Sequence, residues 1–274
     1  MANPWLQRRV LNYAHQGGAL EAPSSTLHAL RRALTVGATA LELDCHLTRD
    51  GEVVVAHDAT VDRMTEGSGS ITALTLGELR ALDAAYRFEE IDSPGLYPLR
   101  GQGLGMPTVR EVLAAFPRTF LNFDIKAESG DPEGCAHGLA TLLQEFGRRD
   151  DVIVASFDDA LTARFSTFAP EVGISVGTEL AMEIYQAVQS GEPLPPLRHV
   201  AMQLPAAFGD LPVVDEKLVE RAHAAGVAVH VWTVNDAATM ERLLDAGVDG
   251  LITDRPSVCA GVLARRGAGF HLQS

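Results

Sequence analysis

The chain has 274 residues, 46% of them hydrophobic and 21% charged, which is enough for a large core and suits a single α/β barrel of roughly 250 residues as well as it suits two smaller domains. A formal net charge of −14 repels a phosphate backbone or an anionic membrane face, so nucleic acid is not expected as a partner, and a small anionic substrate needs a local cation. The three cysteines, Cys45, Cys135 and Cys259, lack any C-x-x-C spacing, which argues against a zinc knuckle or a disulfide framework and for a reducing compartment.

The first fifteen residues hold no long apolar stretch, and no apolar run of about eighteen residues occurs anywhere. A soluble, cytoplasmic protein with no transmembrane segment is therefore expected. Nothing in the pattern sets an oligomeric state.

Residues 10–14 read as a short strand ending in His15-Gln16-Gly17-Gly18. Ser24-Ser25-Thr26 then offers caps to a helix whose Leu27, Leu30, Ala33 and Leu34 recur at three and four, with Gly37 as its stop. Residues 39–58 form two extended runs that turn at Asp50-Gly51. In the first run Leu41, Leu43 and Cys45 face one way and Glu42, Asp44 and His46 the other, because strand side chains alternate. Two carboxylates at this spacing suit a hard divalent cation, Mg²⁺ or Ca²⁺, and His57-Asp58 closes the second run. The ordinary alternative is the solvated face of an edge strand.

Residues 59–105 combine Gly, Pro and Ser with one helical patch near 76–85, which reads as an excursion: a lid or a small inserted subdomain. Beyond it a helix is predicted at 107–116 with Pro107 in its first turn, and a strand at 120–126. Helical and extended segments then alternate. Helices are expected at 133–148, 158–168, from 179, and at 214–225, 237–246 and 256–265; strands at 152–155, 173–176, 200–204, 227–234 and 250–253. Such alternation gives a parallel sheet, and about eight units close as an α/β (β/α)₈ TIM barrel. A doubly wound open sheet is the runner-up, but no G-x-G-x-x-G follows the first strand. No linker divides the chain, so one domain over 1–274 is expected, with the excursion at about 59–105.

In a barrel the carboxyl ends of the strands form the active face. His15, Glu42, Asp44, His57, Asp124, Lys126, Gln203, Trp232, Thr233, Asn235 and Asp254 would converge there. Trp232 also reads as a core aromatic, Gln203 as a satisfied core amide, and Asn235 and Asp254 as helix N-caps. Within FLNFDIK, Asn122, Asp124 and Lys126 share one face among apolar neighbours, where an unpaired charge is costly. Asp124 and Lys126 together suit a metal ligand beside a phosphate-binding cation.

The ordered set AHQGG, PSST, GATALELDCHLTRDGEVVVAHDATVDRMTEGSGSI, LNFDIK, VWTVND and GVDGLITDRP resembles the glycerophosphodiester phosphodiesterase family from His15 to Pro256. The resemblance implies a barrel with an insertion after its second strand. It also implies hydrolysis of small-molecule glycerophosphodiesters to sn-glycerol 3-phosphate and an alcohol, with one divalent cation, Mg²⁺ or Ca²⁺. By motif position Glu42, Asp44 and Asp124 correspond to metal carboxylates, His15 and His57 to the paired acid and base, and Lys126 to a phosphate contact. Gln203 and Trp232 are further substrate-binding candidates, Trp232 as a surface against which glycerol is fixed. The DCHLTRDG run and the Asp of LNFDIK look most like the branch with lysophospholipase D-type members, which makes lysophospholipids the alternative substrate. Gln16 stands where the family usually has a phosphate-clamping Arg, and Ser24-Ser25 replaces part of its P-E-N-T. The missing Arg motivates a rival reading, a non-catalytic phosphate-binding barrel.

Overall fold

The computed structural model describes residues 3, 5–6, 10–127, 130–209 and 211–267; the ends of the expected domain, 1–2 and 268–274, lie outside them. In chain order, β1 (Leu11–His15) leads to α1 (Leu27–Thr35), and β2 (Ala40–Leu47) folds back on β3 (Val53–Val55). A 3₁₀ turn at Ile71–Ala73 and α2 (Leu76–Arg80) follow, then α3 (Val109–Ala115), β4 (Phe120–Ile125), α4 (Pro132–Glu145), β5 (Val152–Ala155), α5 (Asp159–Phe168), β6 (Gly173–Ile174) and α6 (Thr178–Ser190). After β7 (Ala201–Pro205) a small hairpin, β8 (Ala207–Phe208) with β9 (Leu211–Pro212), precedes α7 (Glu216–Ala224), β10 (Ala228–Trp232), α8 (Ala237–Asp245), β11 (Gly250–Thr253) and α9 (Pro256–Arg266).

Eight of these strands are parallel, in the order β6-β5-β4-β2-β1-β11-β10-β7. A parallel bridge from Ser175 to Ala201 joins the two ends, with Val176 N–H donating to Ala201 O at 3.1 Å. The result is the expected TIM barrel, with β3 as an antiparallel extra on β2. Its register sets the site: His15 pairs with Glu42, Glu42 with Asn122, and Asp44 with Asp124, so these groups share neighbouring levels on adjacent strands. Outward-facing Leu41, Leu43, Leu121, Phe123, Val152 and Val154 are buried under the helices. The amino-terminal end of the bore is filled by Trp5, Leu11, Tyr13, Phe120, Ile153 and Ile252, with the Trp5 and Phe120 rings edge-on at 5.7 Å.

Several boundaries move for capping reasons. Thr26 is the α1 cap, accepting from Ala29 N–H at 3.1 Å. Helix α3 starts at Val109 because Thr108 and Glu111 make a reciprocal capping box, which leaves Pro107 before the cap rather than inside the first turn. Asp236 caps α8 and Arg255 flanks α9, so Asn235 and Asp254 are not the caps that their positions suggested. Gly17 has φ +84°, and a Cβ there would meet the Ala29 Cβ at 2.9 Å. The loop after His15 can lie against α1 only with glycine.

The 59–105 stretch is a packed layer. Val61, Met64, Ile71, Leu79 and Ala84, with Met106, bury themselves against Val54 and Ala56. Farther along it the Arg100 guanidinium lies 4.3 and 3.9 Å from the centroids of Tyr86 and Tyr97.

Candidate active site

A cavity of about 520 Å³ opens at the carboxyl ends of the strands. One end is ionic: His15, Glu42, Asp44, His57, Asp124 and Lys126 line it, with Asn122 and Gln203. The other is almost wholly apolar, with Phe157, Val176, Met182, Tyr185, Phe208 and Trp232 among its walls.

Each histidine is oriented by a carboxylate. His15 Nδ1 lies 2.7 Å from Asp254 Oδ1, and His57 Nδ1 lies 2.7 Å from Asp58 Oδ1. The two rings stand edge-on at 5.5 Å. Asp254 is itself held by Asn235, whose Nδ2 donates to Asp254 Oδ2 at 2.9 Å while its Oδ1 accepts from the Asp254 backbone N–H at 2.8 Å and the Thr253 hydroxyl at 3.1 Å. That network explains the polar ends of VWTVND and GLITDRP. Burial alone would lower the His15 pKa, but the bond to Asp254 and the charges of Glu42, Asp254 and Asp44 raise it to about 9. Although burial opposes their ionisation, Asp254 is kept below the usual carboxylate range by its bond to His15, and Asp58 by its bonds to Arg63 and His57.

Lys126 bridges two acids, with Nζ 2.6 Å from Asp44 Oδ1 and 2.7 Å from Asp124 Oδ2. Burial disfavours its charge, yet those two carboxylates raise its pKa and keep it an ammonium. Glu42 Oε2 and Asp44 Oδ2 are buried without a hydrogen-bond partner. Glu42 is pushed up to about 8 by burial and then by the Asp44 charge. Carboxylate oxygens that are desolvated, crowded and unsatisfied fit a divalent cation, because the cation supplies the missing charge and bonds. Among the described residues, the ligand atoms gathered within 4.8 Å of one another are those of His15, Asp44 and His57. Glu42 Oε2 lies 3.8 Å from His15 Nε2, whereas Asp124 is turned toward Lys126.

The remaining candidates divide. Trp232 lines the cavity with its ring edge-on to Phe157 at 5.6 Å. Gln203 lines the cavity as well, with its amide nitrogen donating to Asn122 Oδ1 at 2.9 Å. Gln16 is buried and absent from the wall; its Nε2 sits 3.2 Å from His15 Nε2. Sequence reasoning named no role for Asp58, Arg63, Phe157 or Phe208. Phe208 sits on a hairpin of two-residue strands with no periodicity to reveal it.

A TIM barrel with two carboxylate-held histidines facing an acidic, lysine-bridged cluster at its carboxyl mouth defines a class: barrel hydrolases built for a charged ester. The chain matches the Glycerophosphoryl diester phosphodiesterase family over residues 15–258 and belongs to that family, as an enzyme that hydrolyses phosphoric diesters. It is 33% identical over 262 residues to a glycerophosphodiester phosphodiesterase of Caldanaerobacter subterraneus, covering 94% of this chain and all of the relative. A lysophospholipase D of Rattus norvegicus is 25% identical over 268 residues, 89% of this chain and 83% of the relative. Among solved structures, an Oleispira antarctica phosphodiesterase in complex with the product sn-glycerol-3-phosphate shares the fold at TM-score 0.74 and 23% identity, over 92% of this chain and 96% of that one.

Proposed function

We propose that the enzyme hydrolyses glycerophosphodiesters to sn-glycerol 3-phosphate and an alcohol. The observation that carries this reading is the pair of histidines, each with Nδ1 tied to a carboxylate and both lining one ionic pocket. With Nδ1 occupied, Nε2 is the nitrogen through which each ring can exchange a proton, that of His15 lying 3.2 Å from the Gln16 amide nitrogen, so one ring can accept a proton from the nucleophile while the other donates to the leaving oxygen. Glu42, Asp44 and Asp124 are the residues we assign to one divalent cation, Mg²⁺ or Ca²⁺, since all their donors are oxygens. Such a cation, when bound, neutralises charge on the phosphate and polarises it. Lys126 supplies a second fixed positive charge, and Trp232 a flat face for the glycerol. The family membership and the product named in the Oleispira antarctica complex support the choice of substrate.

The apolar half of the cavity favours a second reading, cleavage of lysophospholipids, whose hydrocarbon chain would lie along Phe157, Met182, Tyr185 and Phe208. Among the described residues no helix is long and apolar enough to cross a membrane. The three free, buried cysteines support the cytoplasm as its location.

The deciding experiment is digestion of glycerophosphocholine with and without a chelator, followed by separation of products. Choline and glycerol 3-phosphate, formed only with cation present, are expected. Phosphocholine with free glycerol, or no turnover of any phosphodiester, overturns the reading.

A further inference from the structure

We propose that Arg63, carried by the 59–105 insertion, is a positioning residue that fixes both histidines at once. This rests on His15 and His57 being the acid–base pair. Arg63 Nε donates to Asp58 Oδ2 at 2.5 Å, and the other oxygen of that carboxylate meets His57 Nδ1 at 2.7 Å. Arg63 Nη2 donates to Gln16 Oε1 at 3.3 Å, and the Nε2 of the same amide meets His15 Nε2 at 3.2 Å. A closed path therefore runs His57–Asp58–Arg63–Gln16–His15, and its ends return to each other through the 5.5 Å ring contact.

The chemistry requires an arginine in the middle. A guanidinium offers several N–H groups in a fixed plane and accepts nothing, so two acceptors can be aligned by one rigid group. Facing Arg63, the Gln16 amide must present its oxygen, which turns its NH₂ toward His15 Nε2, to which it donates when that nitrogen carries no proton. Asp58, with one oxygen on the arginine and one on the imidazole, cannot rotate without losing a charge-assisted bond. Gln16 holds φ +54°, a left-handed backbone unusual for a side-chain-bearing residue, which aims the amide into this path. The positive charge absent at position 16 is thus present nearby, brought from another segment, where it acts on the histidines rather than lining the cavity.

Two readouts test this together: steady-state kinetics on glycerophosphocholine, and NMR of ¹⁵N-histidine-labelled protein, for wild type, Arg63→Ala and Arg63→Lys. In Arg63→Ala, kcat should fall about 10- to 100-fold, the scale of a small misplacement of reacting groups, with KM within twofold. The His57 Nδ1–H signal, identified by its loss in His57→Ala, should broaden or vanish. Lys restores one bond and not the fork, so Arg63→Lys should recover the signal and part of kcat, and added guanidinium should raise kcat of Arg63→Ala but not of wild type. An unchanged His57 signal with kcat within twofold of wild type overturns the proposal. So does a rise in KM with kcat kept, since Arg63 would then be binding substrate. A wild type inactive on every phosphodiester would instead remove the proposed function, and the NMR comparison would still decide whether Arg63 orders the ring.

Discussion

Asp254 and Asp58 do the same work for different histidines, but their supports differ. Asp254 is locked by Asn235 within the barrel, whereas Asp58 depends on Arg63 from the insertion. Asp254→Ala should leave His15 free to rotate and take the other tautomer, lowering kcat about 100-fold, and because the bond to Asp254 is what raises the His15 pKa most, the thermal midpoint at neutral pH should fall as well. His15→Ala and His57→Ala should each cost about 10²- to 10⁴-fold in kcat, and near-full activity in either folded variant would show that histidine to be structural. The inward-facing set was legible residue by residue, because alternation on β2 and β4 puts Glu42, Asp44 and Asp124 on the face that lines the cavity, with Lys126 just past the end of β4. Partnerships were not. Asn235 and Asp254 look like caps until the three-dimensional route back to His15 is seen, and nothing in the sequence pairs Gln16 with Arg63.

At the scale of elements, the βα alternation was readable because each strand is a short apolar run and each helix carries a three-and-four stripe. What escaped were elements whose stability comes from context. Strands β8 and β9 have two residues each and exist because the chain leaves β7 beside the cavity mouth. Their Phe208 is 77% exposed, an unusual amount of aromatic surface to leave in water unless something covers it. If a hydrocarbon chain does, covering part of that ring contributes about 1 kcal/mol. Phe208→Ser should then raise KM for a long-chain lysophosphatidylcholine roughly fivefold more than for glycerophosphocholine; an equal effect on both substrates would exclude the chain from this wall. The insertion was expected as a lid or subdomain, and its own core decides how firmly it holds Arg63. Leu79, 1% exposed in that core, should cost about 2–5 kcal/mol when cut to Ala, measured as a lower urea midpoint.

For the whole molecule, the acidic balance read from composition is concentrated where the chemistry is, and that makes stability depend on pH in a defined direction. Without a cation Glu42 titrates at about 8 instead of near 4.5, and His15 at about 9 instead of near 6.5. Both folded values exceed the ordinary ones, so over this range the folded state holds protons that the unfolded state has released. Stability associated with each group is complete below its unfolded value and is lost as pH rises through the folded one. The two windows overlap, and the thermal midpoint in EDTA should fall as pH is raised from about 5 to 9. A cation takes over the charge that those protons were cancelling and binds the folded form alone, so its stabilisation should grow along the same axis. Thermal midpoints at pH 6, 7, 8 and 9, in EDTA and in saturating Mg²⁺ or Ca²⁺, should diverge steadily. Glu42→Gln separates this site from the self-repulsion of a chain at −14: it should flatten the EDTA slope and shrink the cation gap, whereas general repulsion would leave the slope as it was. A gap equal at pH 6 and pH 9 would mean that the cation is held by groups other than Glu42 and its neighbours.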